Sequence, residues 1–252
     1  MPIRRATTAF AGADFHALSW SDAITTISGA AAAGRLLSVV TPNVDHLVRL
    51  DRLGNQPLGQ RYRAAIADAD LCLCDSRIVS RLARLRGIPL PVVPGSDLTA
   101  ALFADHIGPG DRIAIVGGDA ATVTLLAELH PGVTFVQHIP PMGMLNDTTA
   151  MDAAAAFICA NIAKFTFVAV GSPQGEILLH HARKAGAKSG VLLSIGASID
   201  FVTGRLTRAP RWMQRLGIEW AHRLFSEPKR LWRRYLVDGP RIFAIVYRAS
   251  GR

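Results

Sequence analysis

Several residues in this 252-residue chain have side chains suited to reaction chemistry. Asp75 follows the apolar run Leu71-Cys72-Leu73-Cys74, which brings its carboxylate out at a sheet edge, where catalytic groups sit. Taken alone it reads better as a helix N-cap, a position Asp favours. Gly117-Gly118-Asp119 closes one apolar run and opens a helical one, suiting close approach of backbone to a phosphate or ribose. Its spacing is not Gly-x-Gly-x-x-Gly, so a tight structural turn fits equally well. Asp68-Ala69-Asp70 has the spacing of a metal-holding pair but precedes its strand, and a solvated helix terminus is the better reading. The eight histidines include no His-x-x-x-His, and adjacent His180 and His181 point to different sides of a helix. No metal site is expected, and no cofactor. Near the end of the chain Arg230, Arg233 and Arg234 fall at i, i+3 and i+4 on one helical face, behind Ser226 as N-cap. Their forks suit phosphate capture.

The elements that must position these residues follow from hydrophobic period. Short apolar runs at 36–41, 71–74, 112–116, 133–137, 165–170 and 190–195 read as strands buried on both faces. Helical periods fill 20–33, 44–67, 77–86, 97–105, 120–129, 148–163 and 174–187, the second broken near 54–57. Their alternation predicts an α/β fold: a Rossmann-like, doubly wound, mostly parallel sheet. Such folds bind ligands beyond the carboxyl ends of the strands. The residues placed there are Thr41-Pro42-Asn43-Val44-Asp45, Asp75-Ser76-Arg77, Gly117-Gly118-Asp119, Gly171-Ser172-Pro173-Gln174-Gly175-Glu176 and Gly196-Ala197-Ser198-Ile199-Asp200.

Charge divides the chain. The net charge is +9, and residues 205–252 hold twelve Lys or Arg against Glu219, Glu227 and Asp238, so that segment carries all of it. Three of the four tryptophans, Trp212, Trp220 and Trp232, are there too. Two regions are expected: a neutral α/β body at 1–204 and a basic, amphipathic helical appendage at 205–252. Nucleic acid, an anionic membrane surface or a phosphorylated ligand would each suit such an appendage. Uncharged stretches are too short or too proline-broken for the roughly 18 residues of a bilayer span. The first residues lack the apolar core of a secretory signal, and three cysteines suit a reducing cytosol. Cys72 and Cys74, two apart on a strand, are expected on one face of the core.

The block Ala209-Pro210-Arg211-Trp212-Met213-Gln214-Arg215-Leu216-Gly217-Ile218-Glu219-Trp220, with Arg223-Leu224 and Glu227-Pro228-Lys229-Arg230-Leu231-Trp232-Arg233-Arg234-Tyr235, closely resembles the C-terminal signature of the WecG/TagA/CpsF family of bacterial glycosyltransferases (glycosyltransferase family 26). Upstream the resemblance continues in Thr41-Pro42-Asn43, Ala69-Asp70-Leu71 leading to Asp75, Gly95-Ser96-Asp97-Leu98, Gly171-Ser172-Pro173 with Glu176, and Gly196-Ala197-Ser198-Ile199-Asp200-Phe201. It implies metal-independent, inverting transfer of N-acetylmannosamine, its uronic acid or glucose from a UDP-sugar to a polyprenyl-diphosphate-linked saccharide. The setting it implies is cell-surface polysaccharide biosynthesis on the inner face of the cytoplasmic membrane. Asp75 takes the place of the family's base, Thr41 and Asn43 those of its first-strand motif, and Arg223, Arg230 and Arg233 those of its diphosphate-binding arginines. Gly117, Gly118, Gly171, Gln174 and Glu176 are expected to hold the donor. The family's glutamine in Gly-x-Pro-Lys-Gln-Glu is Gly175 here, with Gln174 one position earlier as its candidate replacement. The partners so implied are the sugar nucleotide, the lipid-linked acceptor and the anionic membrane surface, with no specific nucleic acid; exposed helices of the body leave room for a homo-oligomer. A nicotinamide oxidoreductase and a family member that binds without catalysing are the alternatives.

Overall fold

A computed structural model describes residues 6–248. Six strands form one sheet: β3 (Leu37–Val40), β4 (Leu71–Cys72), β5 (Arg112–Gly117), β6 (Thr134–His138), β7 (Phe165–Ala169) and β8 (Val191–Ser194), in the order β4-β3-β8-β7-β5-β6. Every neighbouring pair is parallel, with Leu37 beside Val191 and Val40 beside Ser194. Successive residues alternate between two cores. Val40, Cys72, Val116, Val168 and Leu192 face one, and Val39, Leu71, Ile115, Phe167 and Leu193 the other. Doubly buried strands explain why these runs read as nearly continuous apolar residues. Cys72 and Cys74 share a face, and burial pushes the Cys74 thiol up to about 12 and Cys72 higher still.

The helices are α1 (Trp20–Ala32), α2 (Val44–Leu53), α3 (Pro57–Ala67), α4 (Arg77–Arg84), α5 (Gly95–Asp105), α6 (Ala120–Leu129), α7 (Thr148–Ala160) and α8 (Gln174–Lys184). Their starts obey capping chemistry: Ser19, Asn43, Ser76, Asp119 and Asp147 each accept a first-turn N–H. The break expected within 44–67 falls between α2 and α3, where Gly54 takes a φ of +49° and Pro57 opens the next helix.

The hairpin at the amino end was not expected. Residues Thr7–Phe10 (β1) and Ala13–His16 (β2) form an antiparallel hairpin, and His16 Nδ1 accepts the N–H of Cys72 at 3.1 Å, covering the β4 edge. Four-residue strands carrying Thr, Asp and His are too short and polar to show a period. The Asp68/Asp70 pair is also not simply solvated. Asp70 accepts from the Ser38 N–H (2.8 Å) and pairs with Arg183, while Asp68 pairs with His180 at 2.9 Å, tying α8 to the amino ends of β3 and β4.

Beyond α9 (Ser198–Val202), the chain forms α10 (Arg211–Leu216), α11 (Glu219–Ser226), α12 (Pro228–Trp232), a π-helical turn (Arg233–Asp238) and α13 (Arg241–Arg248). Ser226 ends α11 instead of capping the next helix; its hydroxyl donates to His222 O, and Glu227 occupies the cap position of α12. Ile242, Ile245 and Val246 of α13 are buried in the same core as Leu47, Val48 and Leu50 of α2. Around that apolar seam run Arg234–Asp45 (3.5 Å), Arg52–Asp238 (2.9 Å) and Arg248–Asp51 (2.9 Å). The two pairs that Asp238 and Asp51 make are exposed and contribute little each, so burial of the apolar residues holds α13 in place. Among the described residues no helix is long and apolar enough to cross a membrane. Ile242→Ala is expected to lower the unfolding free energy by about 2–5 kcal/mol. A urea midpoint unchanged by the substitution would mean that α13 is not part of the core.

Candidate active site

A cavity of about 1030 Å³ lies over the carboxyl ends of the strands, floored by Thr41, Asn43, Asp75, Gly95 and Ser194 and roofed by α11 and α12. Parallel pairing carries Asp75 there. Past the end of β4, the N–H groups of Leu73 and Asp75 donate to Val40 O (2.9 Å) and Pro42 O (3.1 Å), and Val93 N–H donates to Cys74 O (2.8 Å). Asp75 is not an N-cap, because Ser76 caps α4 by accepting from Val79 N–H. Its half-buried carboxyl instead takes two donors: Gly95 N–H on Oδ1 at 2.7 Å and Asn43 Nδ2 on Oδ2 at 3.1 Å. Burial pushes its pKa up; these bonds, with the charges of Arg223 and His46, pull it part of the way back, and the net position is above the ordinary carboxylate value. A carboxylate with raised proton affinity is better suited to accept a proton near neutral pH. Gly95 is required because a Cβ there would stand 2.6 Å from Thr41 Oγ1, separating the helix start from both Thr41 and Asp75.

Behind Asn43 lies a pair that residue types alone did not reveal. His46 Nδ1 is 2.8 Å from Asn43 Oδ1, and His46 Nε2 is 3.2 Å from Glu176 Oε1, which also accepts from Ser194 Oγ at 3.0 Å. Glu176, expected to touch the donor, is only 2% exposed. Burial would raise its pKa, but the hydrogen bond and charge of His46 and the Ser194 hydroxyl hold it below the ordinary value. The signal for His46 was its place three residues after an N-cap Asn, where a capping box forms.

Arg223 faces this floor, its guanidinium 4.8 Å from the Phe201 ring centroid and only loosely paired with Glu219 at 3.9 Å. Arg230 lines the cavity while bound to Glu227 at 2.7 Å. Arg233 stands over the Trp232 ring at 6.0 Å and does not line the cavity; Arg234 does. The two neighbours point to different sides of the π-helical turn, and it is Arg234 that shares Asp45 with Arg49. The two guanidinium charges hold the Asp45 carboxyl below its ordinary value against the rise that burial causes.

Gly171 and Ser172 line the cavity, but Gln174, Gly117 and Gly118 do not. Gly117 (φ +100°) packs against Ala169 and Gly118 (φ +72°) against Thr122, so this pair belongs to the turn into α6, capped by Asp119. A Cβ on Gly175 would stand 2.6 Å from Ser194 Oγ, so the residue in the glutamine's place lies flush on β8 and leaves no room for a side chain.

A parallel sheet with its cavity across the carboxyl ends, bordered by the N-termini of α2, α4 and α5, has the architecture of a Rossmann-like ligand-binding protein. The chain belongs to the glycosyl transferase WecG/TagA/CpsF family, whose model matches residues 8–252. Its class of reaction is therefore transfer of a sugar from a donor to an acceptor.

The lowered Glu176 pKa has a consequence for stability. The unfolded chain takes up this proton first, so the stabilisation is complete above about pH 4.5 and is lost as pH falls through the lower folded value. Glu176→Gln is expected to flatten the fall in urea midpoint on acidification below pH 4.5, relative to the unsubstituted protein. Parallel acid profiles for the two proteins would refute it.

Proposed function

We propose that this protein moves a sugar from a UDP-sugar to a polyprenyl-diphosphate-linked saccharide by a single inverting displacement, with Asp75 as the base. The observation that carries the reading is Asp75 itself: a carboxyl of raised proton affinity on the cavity floor, oriented by two donors and faced by Arg223. The acceptor hydroxyl gives its proton to Asp75 as its oxygen bonds to the anomeric carbon from the face opposite the departing phosphate. The bond from that carbon to the diphosphate breaks, and UDP leaves with the electron pair. Negative charge grows on the leaving diphosphate, and preorganised cations stabilise such charge best in a site shielded from water. Arg223 and Arg230 line the cavity for this role, with Arg233 next to them on the tail. Thr41 and Asn43 border the reacting centre, and Gly171 and Ser172 form the donor side. The donor is N-acetylmannosamine, its uronic acid or glucose, carried by UDP, and no metal is required because the arginines take its place.

The tail also suits a peripheral position on the cytoplasmic face of the membrane, where the lipid-linked acceptor lies. Phe225, Trp232, Phe243 and Tyr247 are exposed beside Lys229, Arg230 and Arg241, a combination that binds anionic interfaces. Products of such transfer feed cell-surface polysaccharide.

Asp75→Asn is expected to lower transfer by about 10²–10⁴-fold while UDP binding by calorimetry stays nearly unchanged. Screening UDP-sugars against a short-chain lipid-diphosphate acceptor supplies the assay. Full activity of Asp75→Asn removes the base, inhibition by EDTA removes the metal-independent route, and failure with every donor favours a family member that binds without catalysing. Phe225→Ala combined with Trp232→Ala is expected to weaken sedimentation with anionic vesicles by about tenfold or more. Unaltered sedimentation would place the membrane contact elsewhere.

A further inference from the structure

The pair of half-buried His46 and buried Glu176 has no part in sugar transfer as described, yet it ends on the base. Glu176 Oε1 lies 3.2 Å from His46 Nε2, and Oε2 is buried without a hydrogen-bond partner. On the other side of the ring, Asn43 Oδ1 lies 2.8 Å from His46 Nδ1 and accepts the N–H of Asp45 at 3.0 Å. An amide whose oxygen receives a backbone N–H has one allowed rotation, and in it Nδ2 points at Asp75 Oδ2, 3.1 Å away. Turned over, the amide would set its oxygen against the carboxylate, acceptor against acceptor. His46 Nδ1 also accepts the backbone N–H of Asn43 at 3.3 Å, the second half of the capping box, while Nε2 faces Glu176, so the ring braces Asn43 from one side and is itself held from the other. An unpaired carboxylate is strongly disfavoured out of water, so the presence of Glu176 at 2% exposure calls for the ring beside it.

We propose that Glu176 and His46 are positioning residues for the base: Glu176 clamps the His46 ring, His46 Nδ1 holds Asn43 by its backbone N–H and packs against its amide, and Asn43 thereby presents its Nδ2–H to Asp75. The inference rests on Asp75 being the base. It assigns Glu176 a role other than donor contact. It also accounts for Gly175, since the flush backbone there leaves Ser194 Oγ free to donate to Glu176. The charged and titratable groups around the pair are Asp45, Arg49, Tyr62, Asp75, Arg223 and Arg234, and Asp45 and Asp75 both feel the charge of His46.

The test follows the Asp75 carboxyl directly. Its ¹³C resonance, identified by its loss in Asp75→Asn, is titrated in the full-length protein and in His46→Gln and Glu176→Gln, each first shown to be folded by circular dichroism and thermal melting. The expected result is a rise of about one pH unit in the Asp75 midpoint in both variants. The acid limb of kcat/KM for transfer is expected to rise with it, while the donor KM stays unchanged. A purely structural role would lower the melting temperature and leave the midpoint in place, and an unmoved midpoint overturns the proposal. So does a rise in donor KM with an unmoved acid limb, which would make Glu176 a substrate contact. If Asp75→Asn transfers sugar at full rate, the assignment of the base falls, whereas the carboxyl titration still decides whether the pair controls Asn43.

Discussion

The carboxylate of Asp75 stands half-buried at the end of a parallel strand, and a buried carboxylate without donors is expensive. Its two donors come from different crossovers: Asn43 at the start of α2 and Gly95 at the start of α5. Holding both within hydrogen-bond range requires β3 and β4 to be in register, both helix starts to meet the sheet at one point, and no side chain between Gly95 and Thr41. The local architecture of the site follows from satisfying that one group.

Parallel pairing has a second consequence. With all six strands of the main sheet running the same way, the loops that leave their carboxyl ends gather on one edge, so residues as far apart as Thr41, Asp75, Ser172 and Ser194 line one cavity. The opposite edge is held by purely structural polar contacts, of which Asp70 with Arg183 and Ser38 is the clearest. An Asp-x-Asp spacing thus serves packing on one edge while a single Asp serves the site on the other. Position relative to the strand, and not residue type, separates the two.

The segment after residue 204 combines two tasks. Its α11 and α12 bring arginines over the cavity, and its α13 fills part of the core against α2. Charge and apolar content are therefore unevenly distributed along it. Ile242, Ile245 and Val246 face inward, whereas Phe225, Trp232 and Phe243 remain exposed near basic residues. Composition showed the excess of charge but could not show that the last helix is also a piece of the body.

Alternating apolar runs and helical periods were enough to determine the α/β class, the six strands of the main sheet, and the break at Gly54 and Pro57, because each depends on neighbours within a few residues. Cys72 and Cys74 on one face followed from the two-residue period of a strand. The hairpin at the amino end did not follow, since its polar four-residue strands have no period to read and are held by contact with β4. Tertiary structure alone decided that Asp75 is hydrogen-bonded across the sheet edge instead of capping a helix, that Gly117 and Gly118 pack a turn, and that Arg234 replaces Arg233 in the cavity wall. It also decided that His46 and Glu176, 130 positions apart, meet behind Asn43. Period and propensity act along the chain, whereas the direction in which a polar side chain points is settled by partners that only folding brings within about 3 Å.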